Sequence, residues 1–432
     1  MTVHGFPDGG TGPSAAAPRV GLFGGVGSGN IGNDATAEAI LSYLTACHPD
    51  AVLDAMCSGP EWVSSKYGIE AIPWQWYQKR KRQATGVEEI AFKALGKGID
   101  AFRTASWVRR HDVVIVPGVG ALEATMHKVR PWGNSYALFL TCASGRLFGT
   151  KVALLNVGAS PISQWLTRWL STSAAKLAFY RSYRDTMSRD VMSQRGLDAE
   201  DDVYPDFVFS IPVPPYEPGD PQTVGVGVMD YYGTNDDRRQ AELHASYVDK
   251  MKFFVQWLVD GGRKVRLFVG DTNGSDDSVV QEILADLRES RPDIDPTWVV
   301  AEPLSTYADL MQAMQAVGSV VAIRYHNVLC ALRLCKPTVS IAYSSKNDAL
   351  MADMGLPEFC QSARSLDVGQ LIEQFTEAES RSVQLRQTLA ERNAANEQLL
   401  EQQFPKLSAL LFPSAGAVRT GADLESARGV NG

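Results

Sequence analysis

Three adjacent residues in the second half of the chain, Arg324, Tyr325 and His326, combine a permanent cation with a group that transfers protons near neutral pH. They directly follow the apolar run 317–323, which predicts a buried parallel strand. In open α/β sheets, ligands bind at the carboxyl ends of the strands. The arginine fork fits a carboxylate or a phosphate, and the imidazole is suited to acid–base catalysis. The triplet therefore predicts an anionic substrate and acid–base chemistry on it.

A further cation follows a second apolar run of the same half. Residues 338–341 predict a strand, and Lys346 lies shortly after its end. Strands that follow each other along an α/β chain are usually neighbours in the sheet. Lys346 is therefore expected at the edge that carries His326. A histidine beside an arginine and near a lysine favours a functional role over a purely structural one.

A third cationic pattern, in the first half, pairs each of two arginines with an aspartate: Arg184 with Asp185, and Arg189 with Asp190. Such pairs are common as exposed ion pairs on helices. An arginine delivered into a cleft between two domains would instead hold an anion. The residues alone leave both interpretations open.

Two glycine-rich turns follow predicted strands, at 24–32 after the run 20–23 and at 117–120 after the run 113–116. Glycine lets the backbone approach a ligand closely, and the N-terminus of a following helix attracts anions. The first turn is compatible with dinucleotide binding, sugar binding or a plain tight turn. Asp54 is only a loose match to the acidic residue that binds the ribose in dinucleotide sites. The second turn is equally compatible with a structural turn and with one wall of an acceptor site.

Apolar strand-like runs alternate with helical segments from Arg19 onward, which predicts an α/β fold. Five prolines between 212 and 221 predict a linker, because neither a helix nor a central strand tolerates that density. The pattern then restarts, so we expect two Rossmann-like domains facing a cleft, and the helix-forming residues 376–403 predict one long helix after them. The predicted segments are a disordered tail (1–18), a first Rossmann-like domain (19–211), the linker (212–221), a second Rossmann-like domain (222–375), a C-terminal helix (376–413) and a disordered tail (414–432).

The overall composition narrows the function classes. The chain of 432 residues carries a net charge of −8, which argues against general binding of nucleic acids. Its first residues lack the basic start and apolar segment of a signal peptide, and no apolar run is long enough to span a bilayer. The six cysteines are scattered, so we expect reduced thiols and a cytoplasmic protein. No spacing of His, Cys, Asp or Glu predicts a metal site, and we expect no cofactor.

An aromatic and basic segment between Trp74 and Arg110 stands out in this acidic chain. It holds nine basic residues, including the run 79–82, against three acidic ones. Such a stretch suits an anionic membrane surface, although it also suits a solvated basic face. Similar residues between Trp165 and Tyr180 favour the membrane interpretation. We therefore expect weak, salt-sensitive peripheral association with the inner face of the membrane.

Over roughly residues 20–375 the chain resembles the polysaccharide pyruvyl transferases. The segment IRYHNVLCALRLCKPTVSIAYSSKNDALMADMGLPEF resembles that family's Arg-x-His block and the Tyr-x-x-Lys and Met-x-Asp-x-Gly-Leu segments after it. SYRDTMSRDVMSQRGL is similar to its central Arg-Asp block, and GNIGNDATAEAI to its amino-terminal Gly-Asn-x-Gly-Asp block. Two departures stand out: Asn33 intervenes before Asp34, and PGVG replaces a more uniformly glycine turn.

The resemblance implies a glycosyltransferase-B-like pair of domains, phosphoenolpyruvate as the donor and a glycan or glycolipid sugar as the acceptor. The product would be a pyruvate ketal across two hydroxyls, with release of phosphate. Carried over by position, the resemblance implies His326 as the catalytic acid or base and four residues that bind phosphoenolpyruvate: Arg184, Arg324, Tyr325 and Lys346. The acceptor side would comprise the two glycine-rich turns, through Gly29, Asn30, Asp34, Gly118 and Gly120.

Two other functions remain open on the sequence. A nucleotide-sugar glycosyltransferase would share the architecture, and it would need an acidic residue for the ribose, for which Glu302 and Glu358 are the candidates. A glycan-binding protein without activity is the other, and the intact Arg324, His326 and Lys346 argue against it.

Overall fold

The computed structural model describes residues 17–76, 87–118, 120–123, 131–234, 236–272 and 275–413. The predicted tails therefore lie almost wholly outside the described residues, and so does the basic run 79–82.

The first half forms a parallel sheet of seven strands within the described residues, in the order β3-β2-β1-β4-β5-β6-β7. The strands are β1 (Arg19–Gly24), β2 (Val52–Cys57), β3 (Glu70–Pro73), β4 (Val113–Val116), β5 (Lys151–Val157), β6 (Tyr180–Tyr183) and β7 (Asp202–Val203). The helices between them are α1 (Ile31–Cys47), α2 (Pro60–Tyr67), α3 (Val87–Val108), α4 (Pro131–Phe148), α5 (Trp165–Leu177) and α6 (Thr186–Ser193). Buried runs such as VVIV in β4 are typical of parallel strands covered by helices on both faces.

The second half repeats this arrangement with six described parallel strands in the order β10-β9-β8-β11-β12-β13. They are β8 (Asp220–Gly227), β9 (Lys264–Phe268), β10 (Val299–Ala301), β11 (Val317–Ala322), β12 (Thr338–Ala342) and β13 (Cys360–Ser362). Their helices are α7 (Gln240–Asp260), α8 (Asp277–Ser290), α9 (Tyr307–Gln315), α10 (Tyr325–Arg333), α11 (Ser345–Asp353) and α12 (Val368–Ser380). Both sheets have the Rossmann strand order, so the predicted fold class is confirmed.

The predicted linker differs from the structure at its end. Residues 212–219 have no regular secondary structure, but β8 begins at Asp220, within the predicted linker 212–221. Pro221 is tolerated there because it lies at the beginning of the strand, where the pairing of β8 with β11 is irregular.

The carboxyl edges of the two sheets face each other, and the loops at these edges are in contact. The backbone N–H of Thr272, after β9, donates to the carbonyl of Gly29 at 2.8 Å, and the N–H of Ile31 donates to the carbonyl of Gly270 at 3.2 Å. The glycine-rich turn after β1 is therefore hydrogen-bonded to the other domain. One apolar cluster also runs through both domains, from Ile40 in α1 to Leu310 in α9.

The predicted long C-terminal helix is confirmed, but its first residues, 376–380, belong to the preceding helix α12. α12 ends at Ser380, and α13 (Ser382–Leu411) begins after Arg381, whose side chain pairs with Glu358 and Glu377. The break is explained by packing, because α12 lies on the second domain whereas α13 extends back to the first. α13 continues through Pro405 to Leu411, close to the end of the predicted segment at 413.

α13 is hydrogen-bonded to both domains. Asn393 donates to the carbonyl of Leu332 in α10 at 3.0 Å. Further along, Gln403 and Asn156 exchange two amide hydrogen bonds of 3.0 and 2.6 Å. Because Gln403 is fully buried, loss of these bonds is costly.

We expect Gln403→Ala to lower the free energy of unfolding by about 1–3 kcal/mol, because it removes two of the hydrogen bonds made by the buried amide of Asn156. Urea denaturation measures this. The matched control is Gln402→Ala, since Gln402 is the exposed neighbour on the same helix. Equal stability of the two variants would contradict the bridging role of α13.

Candidate functional site

Arg184 comes from the first domain, directly after β6. Its backbone N–H donates to Val157, and Asp185 caps α6 by accepting from Ser188 at 2.6 Å. This local geometry turns the guanidinium into the space between the domains, where it is only 5% exposed. By contrast, Arg189 is paired with Asp190 on the surface of α6. The first arginine of the pattern thus lies in the cleft and the second forms an exposed ion pair.

Arg324 lies at the start of α10, directly beyond β11, and is held by Asp276. Its Nε and Nη2 donate to the two carboxylate oxygens of Asp276 at 2.9 and 2.6 Å. Asp276 is fully buried and also accepts from the backbone of Asp230 and Gly270. The charge of Asp276 raises the pKa of Arg324 although burial opposes this. Two of the three guanidinium nitrogens of Arg324 are therefore already hydrogen-bonded to Asp276.

His326 lies against the first domain. Its Nε2 is 3.7 Å from Oδ2 of Asp206, which is completely buried. On the other edge of the ring, a Cβ at Gly32 would lie 1.7 Å from Nδ1, so only glycine fits in this turn of α1. The second glycine of the Gly-Asn-x-Gly segment therefore makes room for the histidine of the opposite domain.

Tyr325 packs among the cations of the site. The guanidinium of Arg184 stacks 4.4 Å from the centre of its ring, and the ammonium of Lys346 lies 5.8 Å from it. The ring of His326 meets it edge-on at 5.0 Å. A ring face beside two cations is favourable because the π electrons carry negative charge there.

Glu123 joins the two domains at the centre of the site. Its Oε1 accepts from Nη2 of Arg184 at 3.1 Å, and its Oε2 accepts from Nζ of Lys346 at 3.0 Å. Burial alone would raise the pKa of Glu123, but the two cations lower it below its ordinary value. Glu123 in turn raises the pKa of Lys346, against the effect of burial. One carboxylate thus occupies an anion site made by both domains.

Two glycines form the floor beneath this carboxylate. A Cβ at Gly120 would lie 2.6 Å from the carboxylate of Glu123. A Cβ at Gly158 would lie 2.4 Å from the same carboxylate and 2.5 Å from Nη2 of Arg184. Gly118 differs, because it packs against the backbone carbonyls of β5. Gly120 therefore belongs to the site. At Gly118 glycine is required instead by the close approach of the backbone of β5.

Three buried polar atoms of the site have no hydrogen-bond partner in the described structure: Nε of Arg184, Oδ2 of Asp206 and Nε2 of His326. Unpaired buried polar atoms are uncommon in folded proteins, and a bound ligand or water is the usual explanation. Burial raises the pKa of Asp206, but His326 and Arg184 together lower it below its ordinary value. Nε2 of His326 and Oδ2 of Asp206 face each other at 3.7 Å, and Nε of Arg184 lies 3.6 Å from Asp185, so the three atoms form long ion pairs at the polar centre of the cleft.

The other acceptor-side residues have structural contacts. The side chain of Asn30 caps α1 by accepting from Gly32 and Asn33, and the carboxylate of Asp34 accepts from Gly27 at 2.6 Å. These bonds occupy several of the backbone amides that a phosphate would need at this helix end. The carbonyl of Gly29 binds the second domain, as described above. The turn therefore connects the domains and holds His326.

The suggested ribose-binding residue Asp54 is not at the end of its strand. It lies within β2, and its carboxylate accepts from Nε1 of Trp107 at 2.8 Å on the α3 side of the sheet. Glu302 and Glu358, the acids considered for a nucleotide sugar, face Arg266 and Arg381.

Sequence reasoning missed five residues of the site: Gly32, Glu123, Gly158, Asp206 and Asp276. Gly158 directly follows β5, so its position at the carboxyl edge could be predicted, whereas Glu123 lies seven residues beyond the end of β4. Asp276 is one of two aspartates in the loop between β9 and α8, and nothing in the sequence singles it out.

The family model of the polysaccharide pyruvyl transferases matches residues 30–345 of the chain. The chain belongs to this family. The matched range includes Arg184, Arg324 and His326 and ends next to Lys346. No curated protein matches the sequence.

Solved structures with the same architecture come from other enzymes. UDP-GlcNAc 2-epimerase from Neisseria meningitidis, bound to UDP-GlcNAc, has a TM-score of 0.55 and 11% identity, covering 90% of this chain and 99% of that chain. MurG from Acinetobacter baumannii has a TM-score of 0.50 and 12% identity, again covering 90% and 99%. The N-terminal domain of Candida albicans trehalose-6-phosphate phosphatase has a TM-score of 0.56 and 10% identity, covering 94% and 99%. At these identities the likeness establishes the glycosyltransferase-B-like fold alone.

The described residues contain neither a membrane-spanning helix nor a metal-binding cluster. No helix there is long and apolar enough to cross a bilayer. No group of three or more His, Cys, Asp or Glu side chains there could hold a metal ion.

Burial raises the pKa of Asp34 from 3.8 to about 6, against the hydrogen bond from Gly27. The folded protein then binds this proton more tightly than the unfolded chain, so this residue's contribution to stability falls as the pH rises from 3.8 to about 6. We expect Asp34→Asn, which keeps an acceptor for Gly27, to stabilise the protein by up to about 3 kcal/mol more at pH 7 than at pH 4. Urea denaturation at both pH values measures this difference.

The exposed Asp50→Asn serves as the control, with little change expected at either pH. A stability difference between Asp34→Asn and wild type that is the same at both pH values would show that burial does not hold a proton on Asp34.

Proposed function

We propose that the protein transfers pyruvate from phosphoenolpyruvate to a sugar of a cell-surface glycan, or of its lipid-linked precursor, as a ketal, with release of phosphate. The observation that carries the proposal is the buried anion site shared by the domains, in which Arg184 and Lys346 bind the same carboxylate of Glu123. Membership of the polysaccharide pyruvyl transferase family supports the reaction class.

Glu123 occupies the position that we assign to an anionic group of the donor. A protein carboxylate and a substrate carboxylate make the same contacts with an arginine and a lysine. Phosphoenolpyruvate carries a carboxylate and a phosphate close together, so it needs several cations. In the free protein the carboxylate of Glu123 neutralises part of the positive charge of Arg184 and Lys346. The donor would therefore displace Glu123 and take over its two contacts.

Arg324 has a more fixed role in this proposal. Asp276 holds two of its nitrogens and fixes the side chain at the start of α10. A charge that is already oriented costs little reorganisation when the reaction develops negative charge. Arg324 would stabilise the donor's anionic groups without moving. Arg184 and Lys346 would instead release the carboxylate of Glu123 and bind an anionic group of the donor.

His326 would supply the proton that starts the reaction. The buried carboxylate of Asp206 faces Nε2 at 3.7 Å. Packing on Gly32 and Tyr325 fixes the plane of the ring. Asp206 is thus proposed as a positioning residue that acts through His326.

The chemistry balances without a cofactor. The proton of His326 goes to the methylene carbon C3 of the donor, and C2 becomes electrophilic. One acceptor hydroxyl adds to C2 and releases its proton, which balances the proton taken from His326. A second hydroxyl of the same sugar then adds to C2 and gives its proton to the phosphate, which leaves with the electron pair of its bond to C2. The products are a pyruvate ketal and inorganic phosphate, with general acid catalysis as the contribution of His326.

The acceptor side is proposed across the cleft, next to Gly120 and the turn that contains Asn30. A cytoplasmic protein at the inner face of the membrane would meet a lipid-linked precursor there. The alternative, a nucleotide-sugar glycosyltransferase, draws support from the shared fold alone. Neither Glu302 nor Glu358 supports it, because each carboxylate faces a surface arginine.

Calorimetric titration of the purified protein with phosphoenolpyruvate and, separately, with UDP-GlcNAc tests the proposal. We expect binding of phosphoenolpyruvate and at least about tenfold weaker binding in Arg184→Gln, because a charged contact is lost. Arg189→Gln is the matched control, since this arginine is exposed in the same sequence pattern. His326→Gln should keep the affinity within about threefold and lower phosphate release with an oligosaccharide panel by about 100-fold or more.

Binding of UDP-GlcNAc without affinity for phosphoenolpyruvate at millimolar concentration would overturn the proposal in favour of the glycosyltransferase. Full phosphate release by His326→Gln would remove His326 from the catalytic role.

A further inference from the structure

Exposed apolar side chains are concentrated on one layer of the first domain. Among the described residues, fourteen large apolar side chains are exposed, and eight of them lie between α3 and the start of β6. These eight are Leu95, Phe102, Leu147, Phe148, Trp165, Leu166, Trp169 and Phe179. Exposed apolar side chains that occur singly are ordinary, whereas a concentration on one face indicates a contact surface.

The concentration is strongest on the outer side of α5. Trp165 is 70% exposed and Trp169 is 53% exposed, one helical turn apart. Lys176 is exposed two turns beyond Trp169 on the same side of the helix, and the exposed Arg168 directly precedes Trp169. The buried side of the helix, with residues such as Leu170 and Ala174, packs on the domain. α5 therefore presents tryptophan and basic side chains together to the outside.

The neighbouring helices continue this surface. The ring of Phe139 in α4 contacts Trp169 at 5.5 Å, which joins α4 to α5. Where α3 and α4 end, the guanidinium of Arg109 lies 5.8 Å from the ring of Phe148. The outer layer, as we name it, consists of the exposed apolar and basic residues of α3, α4 and α5, together with Arg109, Arg110 and Phe179.

The α4 and α5 part of the outer layer, with Phe179, carries no negative charge. No Asp or Glu occurs between Glu123 and Asp185, although the chain as a whole has more acidic than basic residues. Exposed basic residues of the layer include Arg109, Arg110, Arg146, Arg168 and Lys176. This separation of charge matches an anionic partner.

The layer lies away from the interface between the domains. α1, on the opposite face of the first sheet, packs against α9 and α10 of the second domain. α5 nevertheless begins close to the cleft, because Ser163 just before it donates to Asp236 of the second domain at 2.7 Å. A partner on the outer layer would therefore lie beside the cleft without blocking the contacts between the domains.

We propose that the outer layer docks on an anionic lipid bilayer, with α5 lying in the plane of the interface. Exposed tryptophans among basic residues on a helix are the pattern of interfacial membrane binding, in which the rings enter the headgroup region and the cations meet anionic lipids. Trp165 and Trp169 supply the apolar contact, and the basic residues supply the electrostatic attraction. The docking does not depend on the proposed reaction. It extends the sequence-based expectation from the stretch around 79–82 to α5.

Cosedimentation with vesicles of pure phosphatidylcholine, and of phosphatidylcholine with phosphatidylglycerol, tests the proposal. We expect binding to the anionic vesicles at low salt and little binding to the neutral ones. Trp165→Ser with Trp169→Ser, and separately Arg168→Glu with Lys176→Glu, should each weaken binding about tenfold or more. Phe253→Ser is the matched control, because Phe253 is an exposed aromatic residue of the second domain.

Unchanged circular dichroism and phosphoenolpyruvate affinity in the four proteins would establish that the variants are folded. Equal binding of wild type to both kinds of vesicle, or unaltered binding of both double variants, would overturn the proposal. Loss of a dimer in the tryptophan variant, measured by sedimentation velocity, would do so as well, since the layer would then bind a second copy of the chain.

Discussion

The contact on which the structure depends is the carboxylate of Glu123 between Arg184 of the first domain and Lys346 of the second. In a nearly dry site, a cation without a partner is very costly, so the free protein needs an anion at this position. Glu123 provides it and at the same time links the domains. The same physical requirement makes the site selective, because a ligand that replaces Glu123 must bring at least an equivalent negative charge. The electrostatics of the cleft therefore favour an anionic ligand.

The scaffold delivers these groups from strand ends that are far apart in sequence. Each Rossmann sheet places polar residues at its carboxyl edge, and the two edges face each other. α13 then holds both domains through buried amides such as Gln403 and Asn393. Gly32 shows how tightly the halves fit, since His326 fills the space that any side chain there would need. A histidine from one domain is thus positioned by the backbone of the other.

Much of this could be predicted from sequence. The strand–helix alternation defined both domains, and the position of His326 after an apolar run predicted a residue at the sheet edge. The break at Arg381 could not be predicted, because it depends on α12 and α13 packing on different domains rather than on helix propensity. Nor could Asp206 or Asp276, whose importance comes from long-range pairing with His326 and Arg324. Local sequence patterns predict individual helices and strands, whereas the partner of a charged residue across the cleft is determined only by the complete fold.

The most direct test of this account is the affinity for phosphoenolpyruvate of Glu123→Gln compared with wild type, measured by calorimetry at low ionic strength. If the donor must displace the carboxylate from Arg184 and Lys346, the variant should bind it about tenfold more tightly, because the neutral amide competes less for both cations. Binding in a folded Glu123→Gln protein that is weaker than in wild type, or unchanged, would contradict the claim that Glu123 holds the place of the donor.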